Sequence, residues 1–191
     1  EATVKYVIEN QIILDKTPFY TESGGQISDT GEIILAGEKY FVTDVRKSGD
    51  AIVHFCDREV EPLIGSNALA KVDVARRRNI MRNHSATHLM HEALRQTLGE
   101  HVKQAGSLVA PNYLRFDFNH FEKVSENDIQ KIESLVNSKI FENINVDTQI
   151  LSIEEAQKNS KVKMFFGDKY GDIVRMVTMD KKYSMELCGG T

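Results

Sequence analysis

The sequence predicts an α+β protein in two parts. Residues 1–74 form a small β-barrel-like N-terminal module, and residues 75–191 form an α+β domain with an antiparallel sheet and a long histidine-bearing helix. Three observations carry this reading. Strand-length apolar runs separated by glycine turns fill the first 74 residues. A helical period takes over after Asp73 and holds from about Val74 to Leu98. Strand-like alternation then returns, interrupted by two helices that begin at capping serines.

In the first module the runs are KYVIE, QIILD, GEIILAGEKYFVTDV, AIVHF and ALAKVDV, punctuated by Gly24-Gly25, Gly31, Gly37, Ser48-Gly49-Asp50 and Gly65. Several short strands in close succession point to a barrel or folded sheet, because such strands escape exposed edges by closing on one another. Asp73 is the expected N-cap of the long helix, Ile80, Met81, Met90, Ala93, Leu94 and Leu98 its apolar positions, and Gly99 its stop. HVKQAGSLV and NYLRFDFNH follow as strands. In the second, Leu114, Phe116 and Phe118 alternate with Arg115 and Asp117. Ser125 and Asp128 open a helix with Ile129, Ile132, Val136 and Ile140 at helical spacing, and Ser152 with Glu155 opens a shorter one. KVKMFF, GDIVRMVTM and YSMELC complete the domain.

Composition narrows the function. Hydrophobic residues make up 41% and charged residues 27%, as in a globular chain, and no apolar run approaches the ~18 residues needed to span a bilayer. The opening EATVKYVIEN lacks a signal core, so a cytoplasmic location is expected. Cys56 and Cys188 are then expected as free thiols. The absence of Met at position 1 and the glycine-rich ending suggest a piece of a longer protein. A net charge of −4 argues against a free-standing nucleic-acid binder. The segment with Arg76, Arg77, Arg78, Arg82 and Arg95 against the single acid Glu92 is nevertheless basic, either a phosphate-binding surface or a solvated helix face.

The chemistry lies in NHSATHLMH, residues 83–91, and in the closing MELCGGT. His84 and His88 are four apart and project from one helix face, the spacing at which two imidazoles share a metal, and His91 lies three further along that face. Histidines so spaced are also common packing residues. A zinc protease helix would carry Glu after the first His, where this chain has Ser85. Cys188 would add a thiolate to complete three ligands of the kind zinc prefers, with Gly189-Gly190 allowing close backbone approach, although a lone cysteine also reads as a buried inert thiol. Glu186 precedes Cys188 by two, so both side chains share one strand face.

HSATHLMHEAL, HVKQAGSLV, LRFDFNH and SMELCGGT, in this order and at these separations, resemble the editing domain of alanyl-tRNA synthetase. LDKTPFYTESGGQISDTG, residues 14–31, is similar to the same family's N-terminal β-module. Free-standing alanyl-tRNA editing proteins and the editing domain of threonyl-tRNA synthetase share parts of the pattern. The resemblance implies a domain that deacylates mischarged tRNA(Ala) at its acceptor end, working with the rest of the synthetase. It also implies zinc on two helical histidines, the cysteine and a histidine immediately after CGGT. The first three map onto His84, His88 and Cys188, and the sequence stops before the fourth. The expectation is partial zinc occupancy with three protein ligands.

Such a domain answers a physical need, since a small pocket rejects an isostere bearing one extra hydroxyl by only about 100-fold. Zinc is expected to activate water or hold the substrate. Glu186 is expected as a proton acceptor or a partner of the metal ligands, and Gln104 as a further catalytic candidate. Thr17 and Gln26 are candidates to meet the serine side chain or ribose, or else turn residues satisfied by backbone. Asp117 is a substrate candidate whose simplest partner is Arg115. Arg76, Arg77, Arg78 and Arg82, with Lys161, Lys163 and Lys169, are candidates for acceptor-stem phosphates. The alternative is a non-catalytic, zinc-stabilised tRNA-binding module. A small metallohydrolase would need a carboxylate-rich metal cluster that the sequence lacks. Nothing in the sequence fixes the oligomeric state.

Overall fold

The computed structural model describes residues 1–163 and 171–191. By its internal contacts the chain divides into a first unit of residues 1–81, 109–113 and 191, and a second of residues 82–108 and 114–190.

In the first unit the expected strands close into a six-stranded antiparallel barrel. The strands are β1 (Ala2–Ile8), β2 (Gln11–Leu14), β3 (Gly31–Leu35), β4 (Glu38–Ser48), β5 (Ala51–Cys56) and β6 (Asn67–Val72), in the order β1-β2-β5-β4-β3-β6. Alternate residues fill the interior: Val4, Ile12, Ile33, Leu35, Val42 and Val45 are all but inaccessible. Burying each such side chain contributes about 1.5–3 kcal/mol before the entropy of ordering is set against it. Tyr40 and Val42 point inward on β4, and a register shift between Val42 and Asp44 resets the phase so that Val45 does too. The β3–β4 hairpin turns through Ala36 and Gly37, both at positive φ (50° and 88°), the tight turn that matches strand twist.

Gly31 is glycine for want of space. It faces Val72 across the β3–β6 ladder, and a Cβ there would lie 2.1 Å from the Lys71 carbonyl oxygen. Asp29, inaccessible at 1% exposure, receives Nε and Nη2 of Arg77 and the Tyr20 N–H, which fixes the segment before β3.

Helix α1 (Val74–Leu98) has the expected bounds. The Asp73 carboxylate accepts the Arg76 N–H at 3.0 Å, and Gly99 ends the helix at φ 118°. Its buried side differs from the apolar stripe read from the sequence. Ile80, Ala93 and Leu94 are buried, but Met81 is 43% exposed, and His84, His88 and His91 occupy the middle of the buried face. That inversion has a partner, since Glu186 presents its carboxylate to His88 and His91.

The second unit holds a two-stranded sheet of β7 (Gln104–Val109) and β8 (Leu114–Phe118), and a three-stranded antiparallel sheet ordered β11-β10-β9. The latter comprises β9 (Val146–Ser152), β10 (Ile173–Met179) and β11 (Ser184–Leu187). Strand β9 was not legible because it is an edge strand: its first five residues are exposed and show no apolar alternation. Helix α2 (Glu126–Phe141) starts at Ser125, which accepts the Asp128 N–H, and buries Ile132, with Leu135 and Val136 partly covered. Ile129 and Ile140 of the expected stripe are about half exposed. Helix α3 (Ile153–Lys158) has the reciprocal Ser152–Glu155 capping box. Of KVKMFF, Lys161–Lys163 are described and the remainder lies outside the described residues, as does Lys169. No described helix is long and apolar enough to cross a membrane.

Replacing Gly31 by alanine is expected to destabilise the chain by at least about 2 kcal/mol, because the clash is with backbone and cannot be relieved by a rotamer change. Chemical denaturation measures this; a loss below about 0.5 kcal/mol would show that β6 yields freely.

Candidate metal centre

Three donors converge in the second unit. His84 and His88, one turn apart on α1, stack their rings at 5.1 Å between centroids and 18° between planes. Cys188, just past β11, brings its Sγ to 3.1 Å from His84 Nε2. One ligand atom each from His84, His88 and Cys188 lies within 4.8 Å of the others. Tetrahedral zinc with N and S ligands needs edges of about 3.3–3.8 Å, so small adjustments of these separations, with Cys188 and His84 moving slightly apart, would seat the ion. The donor set, two imidazoles and a thiolate without a carboxylate, suits a soft-to-borderline metal rather than magnesium or calcium.

Behind these donors lies Glu186, 1% exposed. Its Oε2 accepts His88 Nδ1 at 2.5 Å, and its Oε1 accepts His91 Nδ1 at 3.1 Å, Ser184 Oγ at 3.0 Å and Lys163 Nζ at 3.4 Å. With Nδ1 committed to the carboxylate, Nε2 is the His88 nitrogen left for a metal, the carboxylate–histidine arrangement that fixes tautomer and ring orientation. Lys163 is shared with Glu92, which it contacts more closely. The Cys188–Gly190 turn is fastened by Arg175, whose Nη1 donates to the carbonyls of Cys188 (3.1 Å) and Gly190 (2.9 Å), while the Gly190 N–H reaches Sγ at 3.4 Å.

The electrostatics follow from this packing. Burial disfavours each charge, but the partners outweigh it. Bonds and charge from His84 and His88 bring the Cys188 thiol down to about 5. Burial likewise opposes His88, yet Cys188 and Glu186 push it up to about 10. Glu186, despite its burial, is held well below the usual carboxylate range by His88 and His91. Without metal the site is therefore a thiolate beside an imidazolium. Cys56, in contrast, is pushed up to about 12, chiefly by burial in the barrel.

The other sequence candidates have the following partners. Gln104 Nε2 donates to Ser107 Oγ (3.1 Å), and Asp117 pairs with Arg115 at 3.1 Å. In the first unit, the Thr17 hydroxyl lies 2.7 Å from His54 Nε2, and His54 Nδ1 lies 3.0 Å from the Ile12 carbonyl. Burial lowers the His54 pKa, so the ring is neutral. Its Nδ1–H donates to Ile12, and Thr17 donates to its Nε2. Gln26, fully buried, accepts the Thr191 N–H and hydroxyl on its amide oxygen, both at 3.1 Å. Of the arginines, Arg77 is bound to Asp29 and the Pro18 carbonyl and Arg76 to the Ser28 carbonyl, whereas Arg78 and Arg82 are exposed. Three residues that support the donors, Lys163 and Ser184 at Glu186 and Arg175 at the Cys188 turn, were not expected there from the sequence. The strand alternation that links Ser184 to Glu186 was a usable signal; nothing in the sequence marks Arg175.

Comparison with known proteins defines the class first. Residues 1–76, which include the whole barrel, match the family model of the class II (A) tRNA synthetases. The particular likeness is to alanine–tRNA ligase, that is, alanyl-tRNA synthetase. The chain is 48% identical over 184 residues to that of Halorhodospira halophila, covering 96% of this chain and 21% of the relative. It is 46% identical over 192 residues to that of Rhodopseudomonas palustris (94% and 22%) and 49% identical over 185 residues to that of Myxococcus xanthus (95% and 20%). The resemblance to alanyl-tRNA synthetase carried by the sequence blocks is thereby shown, and the chain spans about a fifth of the length of these relatives.

The charge state of the metal-free site gives a direct expectation. Alkylation of Cys188 by iodoacetamide should be level between pH 6.5 and 8, because a thiol titrating near 5 is already thiolate there, while Cys56 stays unreactive. A rate rising about tenfold per pH unit, as for an ordinary thiol, would contradict the pairing with His84 and His88.

Proposed function

We propose that the chain hydrolyses the ester linking a wrongly attached amino acid, serine or glycine, to the terminal ribose of tRNA(Ala), with zinc held by His84, His88 and Cys188. The observation that carries this reading is a built donor set with an open side: His84 and His88 are buried, Cys188 is half-buried, and the following Gly189 is exposed with nothing within 4 Å of where a Cβ would stand. A closed structural site would cover its thiolate, whereas a catalytic one keeps a position for exchange. The similarity to alanine–tRNA ligase supplies the substrate class.

When bound, the metal would polarise the ester carbonyl or an attacking water. The chain's own residues do the rest. Glu186 is engaged on both oxygens, so its part is to hold the His88 Nδ1 proton and aim Nε2 rather than to accept a proton from water. Arg175 keeps the Cys188 turn in place. Exposed Arg78 and Arg82 are suited to acceptor-stem phosphates. Selectivity for serine over alanine follows if site polar groups that bond the serine hydroxyl are left unpaired by alanine, a difference worth up to about 10⁴-fold. The remainder of the synthetase would supply most of the tRNA affinity, since this chain is net acidic.

With zinc supplied, the chain should release serine from Ser-tRNA(Ala) much faster than alanine from Ala-tRNA(Ala). His84→Ala and Cys188→Ala should each lower serine release by about 100-fold or more. Unchanged ester lifetimes together with firm RNA binding would make this a zinc-stabilised tRNA-binding module and overturn the hydrolase reading.

A further inference from the structure

The second unit contains a cleft of about 630 Å³ that the proposed reaction does not use. Its walls come from the end of α1, the turn after α3 and the β10–β11 hairpin. Among the described residues five cations line it, Arg95, Lys161, Lys163, Lys181 and Lys182, against the acids Glu92 and Glu100. Lys163 is neutralised by Glu92, and Arg95 is turned onto the Glu100 and Val102 carbonyls, which leaves its charge uncompensated. Among the described residues Lys161, Lys181 and Lys182 are exposed and make no ion pair. In a chain of net charge −4 the described lining residues thus gather a surplus of about three positive charges in one concavity, where field lines focus.

The lysines sit on turns that are themselves fixed. The Asn159 side chain accepts the Lys161 N–H at 3.1 Å, and Asp180, at φ 58°, accepts the Lys182 N–H at 3.0 Å. The lining argues about the occupant. Tyr183 is buried and its hydroxyl bonds the Leu89 carbonyl, so among the described residues lining the cleft no aromatic face is offered for a nucleobase. Sites for apolar small molecules are lined mainly by hydrophobic side chains, unlike this one. A row of flexible ammonium groups fits successive phosphodiesters.

We propose that this cleft binds the sugar–phosphate backbone of RNA, and that Lys161, Lys181 and Lys182 are its phosphate contacts. The proposal rests on the tRNA substrate proposed above and gives it a second docking surface. Lys163 joins this cleft to the metal centre, because the ammonium that closes onto Glu92 in the cleft wall also reaches Glu186, which holds His88.

The test is an anisotropy titration of a labelled RNA hairpin of acceptor-stem length, at several salt concentrations, using the whole chain. It compares wild type with the triple variant Lys161→Gln/Lys181→Gln/Lys182→Gln and with Lys5→Gln/Lys16→Gln/Lys47→Gln, which removes the same charge from exposed barrel positions. The cleft variant should lower the slope of log affinity against log salt by about two to three, one per lost phosphate contact, and weaken binding at least tenfold; the barrel variant should resemble wild type. In deacylation the cleft variant should raise KM and leave kcat in place. Equal slopes for wild type and the cleft variant would overturn the proposal, as would equal losses in both variants. So would competition by inorganic phosphate as strong as that of RNA at equal phosphate concentration, which would mark a free-anion site. The two readings fail separately: cleft-dependent binding without serine release refutes only the hydrolase, and serine release with an unchanged KM in the cleft variant refutes only the cleft.

Discussion

The candidate metal centre depends on one buried carboxylate. An ionised side chain at 1% exposure costs several kcal/mol unless its oxygens are met by donors, and Glu186 is met by four, from His88, His91, Ser184 and Lys163. That requirement explains why the middle of α1 turns histidines rather than aliphatics toward the sheet. It also explains why β11 has its register: with Glu186 facing α1, the residue two further on faces it as well, and that residue is Cys188. The thiolate and both imidazoles are brought together by a single alternation of strand against helix.

The charges continue in sequence from the cleft to the donors. Glu92 meets Lys163, Lys163 meets Glu186, Glu186 meets His88, and His88 with His84 meets the Cys188 thiolate. Each sign is followed by its opposite, so no group in the line is buried without compensation. The low thiol and high imidazole pKa are consequences of that arrangement, with burial working against both. Opposite signs in contact also make the array sensitive to loss of any one member, since the remaining partner would be a buried charge alone.

What the sequence made legible follows physical rules of short range. The α1 bounds were legible because Asp73 and Gly99 act within one turn of the ends they cap. The barrel strands were legible because a two-residue period shows directly in an apolar run. The convergence of His84, His88 and Cys188 was legible from ligand chemistry and spacing, with the family resemblance joining residues about a hundred positions apart. Other features needed the third dimension. Met81 fits a helical stripe and is exposed, and β9 has no apolar alternation because it is an edge. Arg77 read as a surface cation but is committed to Asp29, 48 residues earlier, a pairing without local signature. Arg175 serves Cys188 from the neighbouring strand through backbone carbonyls, for which any sequence is silent.

The central claim, that Glu186 fixes a metal site of two imidazoles and one thiolate, is tested most directly by cobalt(II) substitution read by absorption spectroscopy. The account predicts an intense tetrahedral d–d spectrum with a single thiolate-to-cobalt charge-transfer band. That band should vanish in Cys188→Ser, persist in Cys56→Ser, and require about 10- to 100-fold more cobalt in Glu186→Gln. A weak octahedral spectrum indifferent to Cys188 would contradict it.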